Sequence, residues 1–163
     1  MIIDTHTHFG EPSRPNDLLH RTELPVVYEE LAVPEGVTGT VVVEARGGPD
    51  EVQWLTELAE KDPFIVGIVG DIDPCSEDFG EVVESFNENP LLRGVRLHDG
   101  CCGSLCDLSD TAPGRESRTL LHNAETMAAN GMALDAHMTY EHVAGLIQVV
   151  ATRTFDQNAL WRV

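Results

Sequence analysis

Residues 1–10 read MIIDTHTHFG: a short apolar run that ends in an aspartate and two histidines, His6 and His8, one residue apart. On a strand, residues i and i+2 share a face. The run therefore predicts a first β-strand that carries Asp4, His6 and His8 on one side and aims two imidazoles at one point. A metal ion takes neutral imidazole nitrogens, and two of them from one rigid segment are prearranged at little entropic cost. The competing account is a pair of strand-end histidines satisfied by backbone groups.

Working outward, four more apolar runs follow: TGTVVVEA at 38–45, PFIVGIVGDI at 63–72, LRGVRLHD at 92–99 and GMALDAH at 131–137. Between and after them lie segments with helical spacing: 49–62, 76–89, 117–131 and 139–152. Strands alternating with helices make βαβ units and a mainly parallel sheet. The punctuation agrees. Pro49 and Asp50 suit a helix start, Ser76 precedes acidic residues that favour a helix N-terminus, and Asn130-Gly131 reads as a helix C-cap. Thr139 is set to open the last helix. The stretch from Glu11 to Gly36, rich in proline and charge, reads as a long loop after the first strand, with at most a helical turn or two around Leu31. The reading is one domain of about five βα units, with Trp54, Leu55 and Leu58 at helical spacing as core.

Polar residues gather at the C-terminal ends of these strands, where parallel α/β sheets place their active sites. Strand two ends in Glu44 and Arg46, strand three in Asp71 and Asp73, strand four carries Arg96 and His98, and strand five carries Asp135 and His137. Arg96 and His98 share a face and suit a substrate carboxylate or lactone carbonyl; the alternative for Arg96 is a salt bridge to a neighbouring strand-end acid. His137 reads as a further ligand or substrate contact, or as a histidine packed at the strand-to-helix junction. Glu44 and Asp71 fit general bases or further ligands, but a hydrogen-bonding role is favoured for each. His20, His122 and His142 are expected to be exposed and receive no role.

Composition bounds the partners. The chain of 163 residues has 28 acidic and 10 basic residues, a formal net charge of −18, and Lys61 is its one lysine. Phosphate binding needs clustered Lys and Arg, so nucleic acid is excluded as an expected partner. An acidic surface almost without lysine suits a protein adapted to molar salt, which screens self-repulsion. No run approaches the roughly eighteen apolar residues that would span a bilayer, and no basic-then-apolar leader opens the chain, so a cytoplasmic protein without a membrane partner is expected. Cys75, Cys101, Cys102 and Cys106 lack zinc-site spacing, and free thiols are expected for all four.

These residues resemble the amidohydrolase-related (amidohydrolase 2) branch of the TIM-barrel metal-dependent hydrolases, a branch that includes lactonases and some decarboxylases. MIIDTHTHFG resembles the first strand of that family, with its D-x-H-x-H pattern. LLRGVRLHDG (91–100) resembles its fourth strand, and NGMALDAHMTYEHVAGLIQVVA (130–151) its fifth strand and following helix. The resemblance implies a (β/α)8 TIM-barrel type of fold, of which about five βα units are present in residues 1–150. It implies His6, His8 and His137 as ligands of a divalent metal, with zinc the expected occupant. Arg96 and His98 would bind the substrate, a carboxylate-bearing lactone or ester. The metal would polarise the carbonyl and acidify a bound water for attack on a lactone, ester or amide. The family's sixth-strand histidine and eighth-strand aspartate have no counterpart, so the general base is expected beyond residue 163. Residues 151–163, ATRTFDQNALWRV, form an atypical tail that suggests truncation or a frameshift. A decarboxylase of the same branch, and a non-catalytic remnant acting by self-association as a homo-oligomer or by partner binding, are the alternative readings.

Overall fold

A computed structural model of the chain describes residues 1–10, 24–45, 47–86, 89–98 and 115–137. They fall into two compact units. The first holds β1 (Ile2–Thr7), α1 (Pro25–Ala32) with a single 3-10 turn at Val33–Glu35, β2 (Val37–Val43), α2 (Pro49–Lys61) and β3 (Ile65–Gly70), together with residues 89–93. The second holds α3 (Phe79–Ser85), β4 (Leu92–His98) from Gly94 onward, α4 (Arg115–Ala129) and β5 (Ala133–His137).

In the first unit β1 pairs in parallel with β2, and β2 in parallel with β3. Between them runs α2, whose sequence explains its limits. Pro49 occupies the first turn, Asp50 and Glu51 complement the positive N-terminus, and Lys61 lies in the last turn. Val52, Leu55 and Ala59, spaced three and four apart, are buried. Leu55 and Ala59 join Phe9, Val42, Ile65 and Ile68 in one apolar cluster, with Tyr28, Trp54 and Leu58 packed on it. Each fully buried Val, Leu, Ile or Phe among them stabilises the unit by roughly 1.5–3 kcal/mol before entropy is counted.

In the second unit β4 and β5 pair in parallel with no register shift from Gly94↔Ala133 to His98↔His137. A methyl group at position 94 would lie 2.5 Å from the Ala133 carbonyl oxygen, so only glycine allows this close approach. Phe79, Val83, Val95, Leu97, Leu120, Ala124 and Met127 are buried. The Asn123 amide donates to the Pro74 carbonyl at 3.0 Å and to that of Ser76 at 2.8 Å, tying α4 to the segment before α3. Past α4, Gly131 takes φ of 65° and the Met132 amide donates back to the Met127 carbonyl at 2.9 Å, the C-cap expected of Asn130-Gly131.

The stretch before Gly36, expected to carry at most a helical turn or two around Leu31, holds α1, eight residues that include Leu31, with Val26, Val27 and Leu31 exposed. Two expectations change. The helix expected from Ser76 begins only at Phe79, because the Ser76 hydroxyl donates to the Asp78 carboxylate instead of capping a turn. Cys75 is disulfide-bonded, where a free thiol is expected, since spacing along the chain does not reveal which sulfurs meet in space. The expected helix at 139–152, the tail at 151–163, and Arg46, His20, His142, Cys101, Cys102 and Cys106 lie outside the described residues. Among the described residues no helix is long and apolar enough to cross a membrane.

Candidate metal and substrate site

The first unit contributes His6 and His8. Asp4 pairs with Thr40 and Thr7 with Val42, so β1 carries one more residue between these points than β2 does. This bulge falls on Thr5 and His6 and breaks the strict alternation that the sequence predicts; bulges re-aim side chains and are common beside sites. His8 lies just past the end of β1. The two imidazoles nonetheless meet, with ring centroids 5.0 Å apart and planes at 81°. His8 Nδ1 sits 2.9 Å from the Val43 carbonyl oxygen. A carbonyl can only accept, so Nδ1 carries the proton and the Nε2 lone pair is left for an electrophile.

The bulge is tied down by polar side chains. The His6 amide donates to Asp4 Oδ1 at 3.0 Å, and the Tyr28 hydroxyl donates to Asp4 Oδ2 at 2.5 Å. Those two bonds, Tyr28's the larger, hold the Asp4 carboxyl below the usual carboxylate range. Burial, and then the bond to Asp4, push the Tyr28 hydroxyl up to about 12. Thr40, fully buried, donates to the Asp4 carbonyl at 3.1 Å and shares a 2.8 Å bond with the Thr7 hydroxyl. Next to Tyr28 on α1, burial and then repulsion from Asp62 raise the Glu29 carboxyl.

Carboxylates hold the backbone that follows β2. Glu51, in the first turn of α2, accepts the amides of Ala45 at 3.1 Å and Gly47 at 2.7 Å, and Asp71, just past β3, accepts that of Gly48 at 2.8 Å. Glu44 is buried, and Asp73 accepts the Cys75 amide at 2.8 Å. For Asp71 this is the hydrogen-bonding role that the sequence favours.

The second unit has its own strand-end cluster of Arg96, His98, Asp135 and His137. The unshifted register sets Arg96 opposite Asp135 and His98 opposite His137. Arg96 is buried, and its Nη2 lies 3.4 Å from Asp135 Oδ2. This is the salt bridge to a strand-end acid that the sequence offers as the alternative for Arg96. The Nδ1 atoms of His98 and His137 are 3.5 Å apart, with rings edge to face. His122 is exposed, as expected, and lines a cleft of about 250 Å³ with Glu77, Arg118, Thr119 and Asn123, none of which belongs to the strand ends.

The donor chemistry fits a divalent ion in part. His6 and His8 are neutral-nitrogen donors on one short segment, one of them with its tautomer fixed. Among the described residues no group of three or more His, Cys, Asp or Glu side chains gathers closely enough to complete a ligand set. Tyr28 and Thr40, which hold the D-T-H-T-H segment, are the residues that sequence reasoning missed. Tyr28 sits in a stretch without apolar periodicity, and Thr40 looks like one more β-branched strand residue.

No protein-family model matches the chain. It is 28% identical over 153 residues to an L-fucono-1,5-lactonase of Burkholderia ambifaria, covering 89% of this chain and 50% of that protein. Among solved structures it is similar to a zinc-bound amidohydrolase from Burkholderia multivorans, with a TM-score of 0.75 and 23% identity over 94% of this chain and 54% of the other. It is also similar to a probable 2-pyrone-4,6-dicarboxylic acid hydrolase from Acinetobacter baumannii with citric acid bound, with a TM-score of 0.65 and 15% identity over 94% and 55% of the two chains. The chain spans about half the length of the curated relative and of the solved structures it matches.

Proposed function

We propose that this chain, which belongs to the amidohydrolase-related family of TIM-barrel proteins, supplies ligands and substrate contacts to a divalent-metal hydrolase acting on a sugar lactone or a related carboxylate-bearing ester. The observation that carries the reading is the pair His6 and His8: two imidazoles with centroids 5.0 Å apart, one locked by the Val43 carbonyl with its Nε2 lone pair outward. His6, His8 and His137 are the residues that would hold the ion, zinc by analogy with the neighbour crystallised with it. When bound, such an ion supplies a Lewis acid for the carbonyl and acidifies water.

The chain's own residues account for orientation. Val43 keeps His8 in the tautomer that presents Nε2. Arg96, buried beside Asp135 at 3.4 Å, brings a planar guanidinium of the kind that suits a substrate carboxylate. His98, opposite His137 in the ladder, would be the second contact to that substrate. The acidic surface, at −18 with a single lysine, supports a protein built for high salt.

The test pairs metal content with turnover. Protein loaded with zinc and dialysed is expected to retain the ion, to lose it in His6→Ala and His8→Ala, and to release acid from a sugar δ-lactone in a pH-stat assay. Failure to retain zinc in folded protein removes the metal reading. Retention without lactone opening removes the lactonase reading and keeps the metal.

A further inference from the structure

The bulge in β1 poses a physical problem. An extra residue leaves the ladder locally unpaired, and at these exposed positions an amide without a protein partner is left to water and the bulge to local motion. Here the His6 amide is bonded by Asp4 Oδ1 at 3.0 Å, a side chain reaching two residues along its own backbone. By itself an aspartate can swing away from such a turn. Its second oxygen, however, receives the Tyr28 hydroxyl from α1 at 2.5 Å. Tyr28 in turn is set by its ring, which packs edge to face with Phe9 at 6.3 Å and with Phe64 at 6.1 Å. A contiguous path therefore runs from the aromatic cluster through one hydroxyl and one carboxylate to the backbone of His6.

We propose that Tyr28 is a positioning residue: through Asp4 it locks the bulge at Thr5–His6 and so fixes the direction in which the His6 imidazole points. His8 needs no such device, because its own ring is held by the Val43 carbonyl. The two histidines are thus aimed by different means, one through its ring and the other through its backbone. That the lock serves metal binding rests on the function proposed above, but the lock itself is a property of the metal-free chain and is tested there.

Tyr28→Phe deletes only the hydroxyl and keeps the ring on Phe9 and Phe64; Asp4→Asn keeps an acceptor for the His6 amide and a partner for the tyrosine. In the metal-free, 15N-labelled chain, site-resolved amide exchange at His6 is expected to accelerate about five-fold in Tyr28→Phe, the equivalent of one net hydrogen bond, and to stay within about two-fold of wild type in Asp4→Asn. The amide of Thr40 serves as the internal standard and is expected to be unchanged. In calorimetric zinc titrations Tyr28→Phe is expected to bind about ten-fold more weakly than wild type, the usual scale for loss of an outer partner of a ligand. Unchanged His6 exchange in Tyr28→Phe overturns the proposal. So does faster exchange spread equally over Thr40, which marks general loosening. Wild-type protein that takes up no zinc, yet shows the localised exchange effect, supports the lock and overturns the metal reading instead.

Discussion

Thr40→Val tests how the D-T-H-T-H segment is anchored to its neighbour. Thr40 is fully buried, and its hydroxyl donates to the Asp4 carbonyl at 3.1 Å. Having spent its proton there, it must accept from the Thr7 hydroxyl at 2.8 Å, so the two threonines form a relay with one direction. Valine has the same shape and deletes both bonds, about 1 kcal/mol each net. The Thr7 hydroxyl keeps the Val41 carbonyl at 3.4 Å as a poorer partner. The added methyl returns up to about 0.8 kcal/mol of transfer free energy. A loss of about 1–2 kcal/mol remains, read as a fall of roughly 3–6 °C in thermal midpoint by circular dichroism. Thr40→Ser keeps the hydroxyl and loses a methyl group, so it is expected to respond to packing alone. A valine variant as stable as wild type, with the serine variant clearly weaker, refutes the relay and makes Thr40 a packing residue.

Gly94→Ala places a methyl 2.5 Å from the backbone oxygen of Ala133, which cannot rotate away. Displacement of β4 from β5 is expected, at about 1–3 kcal/mol by urea unfolding, with loss of the His98–His137 contact in NMR spectra. Glu29→Gln concerns a carboxyl whose pKa is raised first by burial and then by Asp62. A raised folded-state pKa favours the protonated form, so ionised Glu29 weakens the fold above its ordinary range. The glutamine variant is expected to be more stable at pH 7 by about 0.3 kcal/mol, the scale of an exposed pair, with the gain fading as pH falls toward about 4, where the carboxyl is protonated in both states. The net charge of −18 predicts a thermal midpoint that rises from about 0.1 M to about 2 M KCl as screening shortens; a flat or falling midpoint refutes salt adaptation.

What the sequence made legible depended on burial. The strands at Val37–Val43 and Ile65–Gly70 stand out because both are largely sequestered and read as continuous Val and Ile runs. The helix at Pro49–Lys61 stands out because its proline, first-turn acids and buried stripe coincide. By contrast α1 shows in the sequence only as a turn or two around Leu31, since its Val26, Val27 and Leu31 are exposed and form no core-facing stripe. The pairs Arg96 with His98 and Asp135 with His137 show their shared faces through i, i+2 spacing. Their register, which sets His98 beside His137, is fixed by Gly94 against Ala133 and is invisible until both strands are present. The bulge in β1 is likewise a relation between two strands, so no reading of MIIDTHTHFG alone reveals it.

The histidine pair of the first unit and the strand-end cluster of the second are therefore ordered by different physics. On β4 and β5 an unshifted ladder does the aiming: backbone bonds fix the strands, and side chains on one face follow by geometry. On β1 the ladder is interrupted where the histidines sit, so side chains must take over what backbone pairing cannot do. Asp4, Tyr28, Thr7 and Thr40 supply that replacement, and the Val43 carbonyl holds the last ring. A bulge costs pairing, but it frees His6 from the strict two-residue alternation that would otherwise dictate its direction. Substitutions that loosen the ladder should therefore disturb the Arg96–His98 side, whereas loss of a single hydroxyl at Tyr28 should disturb His6 and leave β4 and β5 unmoved.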